Sequence, residues 1–247
     1  MTSITLSAKR LKSAVKRFVR ARSAAVVPRT RVSPETWGRR AQEAEFHFHK
    51  QDRWRHTDAF RAQSDRLFRH FGFEPDDYTG KTVVDLGAGS QLRTKFFNGA
   101  RLVVIEPLAD RFLAEIERSD LRDATEVHSK PAEQLIESLV GTADLVVSIN
   151  VLDHCYDFEE IVSNIRRYLK SDGLAFLSFD MHAKADDMHP LSLTKKTCAP
   201  IFARSGLAVE RLTTGLSDVN GGSPTWGHGP YALNYWLRPT TTVPQGG

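Results

Sequence analysis

Asp85-Leu86-Gly87-Ala88-Gly89-Ser90-Gln91 follows directly on an apolar run, and Glu106 stands 21 residues after Asp85 at the end of the next such run. Two glycines one residue apart let a backbone turn tightly and approach a ligand where a Cβ would block it. A carboxylate about 20 residues later is placed to accept hydrogen bonds from both hydroxyls of a ribose. This spacing points to a nucleoside-containing ligand, which two chemistries use. A dinucleotide site wants a third small residue in G-x-G-x-x-G, and Leu92 stands in that place. A methyl-donor site wants an acidic residue two positions before the first glycine, to hold the positively charged amino acid end of the ligand; Asp85 supplies it.

Proton-handling groups cluster in three later segments. "NVLDHCYD" holds Asp153, His154 and Tyr156; "DMHAKADDMHP" holds Asp180, His182 and His189; a long Gly- and Pro-rich stretch holds Trp226 and His228. Imidazole titrates near neutrality and can accept a proton from a reacting hydroxyl. No spacing of His, Cys, Asp and Glu matches a metal site, and Asp186-Asp187 reads as a solvated turn, so no metal is expected.

The elements that must position these groups follow from hydrophobic patterning. From Lys81 onward, apolar runs "TVVDL", "RLVVIE", "ADLVVSI" and "GLAFLSF" alternate with helical stretches such as "ADRFLAEIERSD" and "DFEEIVSNIRRYLK". Strands that are apolar throughout, joined by helices, form a parallel sheet covered on both faces, an α/β doubly wound Rossmann-like fold. Asp157 is a candidate N-cap, and "SDG" at 171–173 reads as a helix stop followed by a strand start. A short helix is expected over about 91–97. "LAVERL" and "YALNYWLR" alternate apolar and polar residues and read as a pair of strands at one edge. Ahead of the sheet, Phe60, Ser64, Leu67, Phe68 and Phe71 share one helical face, with Trp54 a turn and a half earlier. The expected organisation is a basic tail and linker at 1–34, a helical cap at 35–79 and an α/β domain at 80–247.

Charge divides the chain unevenly. The formal net charge of its 247 residues is +4, yet residues 1–34 carry nine Lys or Arg and no acid, which leaves the remainder at −5. Leu11, Val15, Phe18 and Val19 line one face of a basic amphipathic helix over residues 8–22, a pattern suited to peripheral contact with an anionic membrane. The same pattern fits a solvated tail, or a mitochondrial presequence in a eukaryotic host. "VVPRTRVSP" reads as an extended linker. A net acidic body without a basic stripe argues against a nucleic-acid partner. No apolar run approaches the ~20 residues that span a bilayer, and two cysteines suit a reducing, cytoplasmic compartment.

Taken in order, "VVDLGAGS", "VVIEPLAD", "SKPAEQL" and "ADLVVSINVLDHCYDFEEIVSNIRRYLKSDGLAFLSF" resemble the class I S-adenosylmethionine-dependent methyltransferases, type 11-like, over about residues 80–240. The resemblance implies a seven-stranded sheet with an antiparallel last strand, and S-adenosylmethionine as cofactor. It places Asp85, Gly87, Ala88 and Gly89 around the methionine part and Glu106 on the ribose hydroxyls. Pro107 and Leu108 would lie beside the adenine, Ala132 and Glu133 at its edge, with Asn150 and Val151 closing the site. It also puts His154 near the sulfonium, as the catalytic residue. Gln91 stands where many members have a third glycine, and Pro131 where an Asp is frequent. The turn into the first helix is therefore expected to differ, and adenine recognition to rely on backbone groups. "NVLD" replaces the "[NDS]PP[YFW]" of enzymes that methylate nucleic-acid amino groups. The expected acceptor is a small molecule, a sugar, lipid or specialised metabolite methylated on oxygen. A catalytically inactive S-adenosylmethionine-binding or sensor protein is the alternative, and a nicotinamide-dependent oxidoreductase a more distant one.

Overall fold

The computed structural model describes residues 33–181, 184–185, 189–215 and 232–240. The basic amphipathic segment, His182, Asp186, Asp187, Trp226 and His228 lie outside the described residues. The strands are β1 Thr82–Leu86, β2 Arg101–Ile105, β3 Glu126–His128, β4 Ala143–Ile149, β5 Leu169–Asp180, β6 Leu207–Gly215 and β7 Ala232–Pro239. They form one sheet in the order β3-β2-β1-β4-β5-β7-β6. Strands β1 to β5 run parallel, and β7 lies antiparallel between β5 and β6. The helices are α1 Pro34–Gln51, α2 Asp58–His70, α3 Ala109–Glu115, α4 Phe158–Tyr168 and α5 Lys195–Arg204.

Apolar runs without alternation arise because both faces of the sheet are covered. In β1, Val84 and Leu86 enter a core built with α4 and α5, where Ile161, Ile165, Ile201 and Phe202 are buried. Val83 enters a second core on the opposite face, with Phe46 of α1, Leu67 and Phe68 of α2, and Phe112 of α3. The cap is thus one outer layer of a three-layer domain. Phe46 stacks on Phe112 at 5.9 Å, and Phe68 meets Phe96 and Phe97 at 5.0 Å each. Trp54, a turn and a half before that face, is 43% exposed and meets Phe60 edge-on.

Several local expectations are corrected. β3 carries no apolar run, its three residues being half-buried, so hydrophobic patterning alone misses it. "SDG" lies inside β5: the strand pairs Ala143 with Leu169, then resumes at Leu145 with Leu174, and residues 170–173 form the irregularity between. Over 91–97 only a 3-10 turn forms, Arg93–Phe96, and Gln91 ahead of it donates to the Arg118 carbonyl. The helix after β2 ends at Glu115, short of the expected residue 120. The last two linker residues open α1, with Ser33 accepting from the Thr36 N–H and Pro34 in the first turn, where its missing N–H costs nothing. Asp157 does cap α4, accepting from the Glu160 N–H. Among the described residues no helix is long and apolar enough to cross a membrane.

If the cap is part of the core rather than an appendage, emptying its centre destabilises the whole domain. Phe68→Ala is expected to cost about 3–5 kcal/mol in urea unfolding, in a single transition. An early, separate transition for the cap would contradict the shared core.

Candidate active site

β1 and β2 end side by side, with Leu86 paired to Ile105 in register, so the glycine turn after β1 and Glu106 after β2 face one another across the rim. Glu106 accepts from the Gly89 N–H at 3.0 Å and from the Leu108 N–H at 2.9 Å. It is 6% exposed, and burial pushes its carboxyl up to about 7 against those two hydrogen bonds. A carboxylate offers about four acceptor positions, so two remain for ligand hydroxyls. Asp85 is likewise buried and accepts from the Thr94 hydroxyl at 2.7 Å; burial raises its carboxyl to about 6.

Both glycines have positive φ, +78° at Gly87 and +64° at Gly89. A Cβ at Gly87 would lie 2.4 Å from Val151, and one at Gly89 would lie 2.4 Å from the His49 ring. The bare backbone therefore admits two protein side chains, one from the loop after β4 and one from the cap. Val151 and His49 thus become walls of the ligand space. His49 Nδ1 accepts from the Ser90 N–H at 3.3 Å and lies 2.9 Å from the Ser90 hydroxyl, so Nε2 carries the proton and donates to Glu45 at 3.0 Å. Burial holds His49 below the ordinary histidine range, which agrees with a neutral ring.

These elements enclose one cavity between cap and sheet rim. Its lining includes the expected cofactor-binding residues Asp85, Gly87, Ala88, Gly89, Glu106, Pro107, Leu108, Ala132, Glu133, Asn150 and Val151, and, of the described proton-handling candidates, His154. Asn150 is the one described non-glycine residue with positive φ, 57°, and its Oδ1 is buried with no hydrogen-bond partner among the described residues. The Trp37 indole N–H, on the cap side of the same cavity, is also buried and unpartnered. A buried donor and a buried acceptor on one cavity are the complement of a polar ligand. Glu133 accepts from the Tyr156 and Asp157 N–H groups at 3.2 and 3.4 Å, so its carboxylate holds the loop after β4 in place.

Reasoning from sequence missed the cap's share of this lining. Trp37, Gln42, Glu45, His49 and Arg55 all face the cavity, and so does Arg93 beyond the glycine turn. Arg55 pairs with Asp52 at 3.0 Å. Arg93 donates to Ser64 at 2.8 Å, and burial together with the Arg55 charge lowers it to about 9. Two cations beside each other at the Asp85 end suit a ligand carrying a carboxylate. No local signal marks these residues, since they reach the rim only by packing.

Of the candidate proton acceptors, Asp153 and Asp180 are each 1% exposed. Tyr156 lies ring to ring with Trp37 at 5.7 Å, a contact between the loop after β4 and the cap. His154 sits on a 3-10 turn, Leu152–His154, half-buried, with Nε2 3.7 Å from Asp153 Oδ2. The His189 ring meets it at 4.6 Å.

Comparison with known proteins fits this arrangement. A family described as "Methyltransferase domain" matches residues 52–210, more than half of the chain. The ubiquinone biosynthesis O-methyltransferase of Pseudomonas paraeruginosa (strain DSM 24068 / PA7) is 30% identical over 105 residues, 40% of this chain and 44% of that protein. The chain's match thus spans less than half the length of that relative. Among solved structures, the Burkholderia thailandensis 1,6-didemethyltoxoflavin-N1-methyltransferase, with bound 1,6-didemethyltoxoflavin and S-adenosylhomocysteine, superimposes with a TM-score of 0.57 at 18% identity, covering 85% of this chain and 92% of that one. A Listeria monocytogenes S-adenosylmethionine-dependent methyltransferase, described as putative, gives 0.53 at 16% identity, covering 72% and 99%. Those identities speak for a shared fold, and the family match speaks for more: the chain belongs to the methyltransferase domain family, within the class I S-adenosylmethionine-dependent methyltransferases.

Proposed function

We propose that this protein transfers the methyl group of S-adenosylmethionine to an oxygen of a small molecule, a sugar, lipid or specialised metabolite. The observation that carries the reading is the single cavity on which the ribose-type carboxylate, the glycine turn and His154 all open, roofed by α1. When bound, the cofactor supplies a methyl group already activated by its sulfonium charge. What the chain supplies is alignment and proton handling. Glu106 accepts from the ribose hydroxyls, Asp85 receives the ammonium end, and Arg55 and Arg93 lie on the side where the carboxylate would be held. Asn150 Oδ1 and the Trp37 N–H offer the remaining acceptor and donor. His154, beyond Val151, lies toward the acceptor, where its role is to help the acceptor hydroxyl give up its proton. A roof made of Trp37, Gln42 and Glu45 favours a compact acceptor over a polymer. The O-methyltransferase named among the relatives supports oxygen as the accepting atom.

Incubating the full chain with methyl-labelled cofactor and a metabolite extract is expected to yield a product one methyl group heavier. His154→Ala should lower turnover by about 10²–10⁴-fold with S-adenosylhomocysteine affinity unchanged. Asp85→Ala should weaken cofactor binding by about 1.5–3 kcal/mol. Tight cofactor binding with no labelled product from any extract would favour a sensor instead.

Glu106 adds a pH signature. Burial raises its folded value to about 7 from an ordinary 4.5, so the cofactor-free fold keeps a proton there that the unfolded chain has lost. Its contribution to stability is therefore full below about pH 4.5 and is lost as pH climbs to about 7. Ribose hydroxyls donate to the ionised form, so cofactor affinity should rise over the upper part of that window and level off above it. Calorimetry on wild type and Glu106→Gln checks both, the variant being flatter in each profile; identical profiles would remove Glu106 from the site.

A further inference from the structure

We propose that Asp153, His154 and His189 bind one divalent first-row cation at the acceptor end of the cavity. Their donor atoms all lie within 4.8 Å of one another. Asp153 and His154 sit on the 3-10 turn after β4, and His189 follows β5, the neighbouring parallel strand. The two strand ends bring together groups that sequence spacing leaves 35 residues apart, and that is why no metal-ligand pattern shows in the chain. The imidazoles meet at 4.6 Å with planes tilted by 48°, and the carboxylate beneath them is 1% exposed.

Two imidazoles and one carboxylate form a donor set that suits zinc, iron, cobalt, nickel or manganese, and is poor for calcium or magnesium. Bonds of about 2.0–2.2 Å put donors roughly 3–3.5 Å apart, so the three groups close in by about an ångström on binding, within reach of side-chain rotation. A cation also offsets the cost of a carboxylate held out of water. Cys155, next in sequence, is engaged elsewhere: its thiol donates to the Leu152 carbonyl at 2.8 Å.

Three protein ligands leave coordination positions open, and one of the three, His154, lies in the cavity wall. The role of the cation deepens the methyl-transfer reading and rests on it; its binding does not. An acceptor hydroxyl that coordinates the cation becomes more acidic and gives its proton to solvent. Its oxygen then forms the bond to the methyl carbon while the carbon–sulfur bond breaks, the electron pair staying on sulfur. His154 acts here through the cation rather than as the final holder of the proton.

The test uses the full chain stripped with a chelator and titrated with Zn²⁺ by calorimetry and with Co²⁺ by visible absorption. One equivalent with d–d bands is expected, and His189→Ala and Asp153→Asn, each removing a direct ligand, should weaken it by at least the roughly 10- to 100-fold that loss of an outer-shell partner costs, while leaving S-adenosylhomocysteine affinity unchanged. Equal Co²⁺ binding by wild type and His189→Ala, or no bands in wild type, overturns the cation site. Because the cofactor titration is read on the same samples, absent S-adenosylhomocysteine binding would instead sink the methyltransferase reading and leave the metal result standing. Retained affinity for it in each variant shows that the variant has folded. Turnover that survives chelation and is unaffected by His189→Ala would overturn the cation's role in methyl transfer.

Discussion

Closure of this domain depends on two missing side chains. At Gly87 and Gly89 the backbone is left-handed and bare, and Val151 and His49 come within distances that no Cβ would permit. Val151 draws the loop after β4 over the turn, and His49 draws the cap down onto it. Glu106 then ties the turn to the end of β2 through the Gly89 N–H. A side chain at either glycine would lift one wall of the cavity. The turn is therefore both part of the cavity wall and the point at which sheet, loop and cap are held together.

The rest of the architecture supplies stiffness to that point. Burial on both faces makes β1 a rigid support: Val83 is anchored under the cap and Val84 under α4 and α5. The cap is fixed beside His49 by Phe46 on Phe112 and along α2 by Phe68 among Phe73, Phe96 and Phe97. Exposed ion pairs, Arg111 with Glu43 and Lys50 with Glu115, lie over the same α1–α3 seam and add little beyond orientation. Polar groups inside the cavity follow a different rule. Glu106, Asp85 and Arg93 are all shifted by burial toward their neutral forms. Any ligand that met these groups with opposite charge would favour their ionised forms, so its affinity and the stability of the fold are coupled at the same residues.

Strand exposure explains what could be read from the chain. β1 and β4 are apolar on both faces and begin and end at the residues where their patterns do. β3 fails that reading because an edge strand of three half-buried residues has no pattern to show. The "SDG" stretch misleads because a strand irregularity and a helix stop use the same residue types. Trp54 lies outside the helical period of α2, on a turn that ends before the helix begins, and stays exposed.

For the site, sequence alone determined what depends on local backbone and nearest strands. The glycine turn, Asp85, Glu106 and the residues after β4 are bound together by adjacency in a parallel sheet, and that adjacency follows from the order of apolar runs. Tertiary structure alone decided what crosses between layers. The pairing of His49 with Ser90 spans 41 residues, and Arg55 reaches the cavity from a turn with no motif. His189 meets His154 only because β5 lies beside β4. Contacts of this kind are set by packing of whole faces, to which each residue contributes only shape and volume. A single chain read from end to end has no term for them.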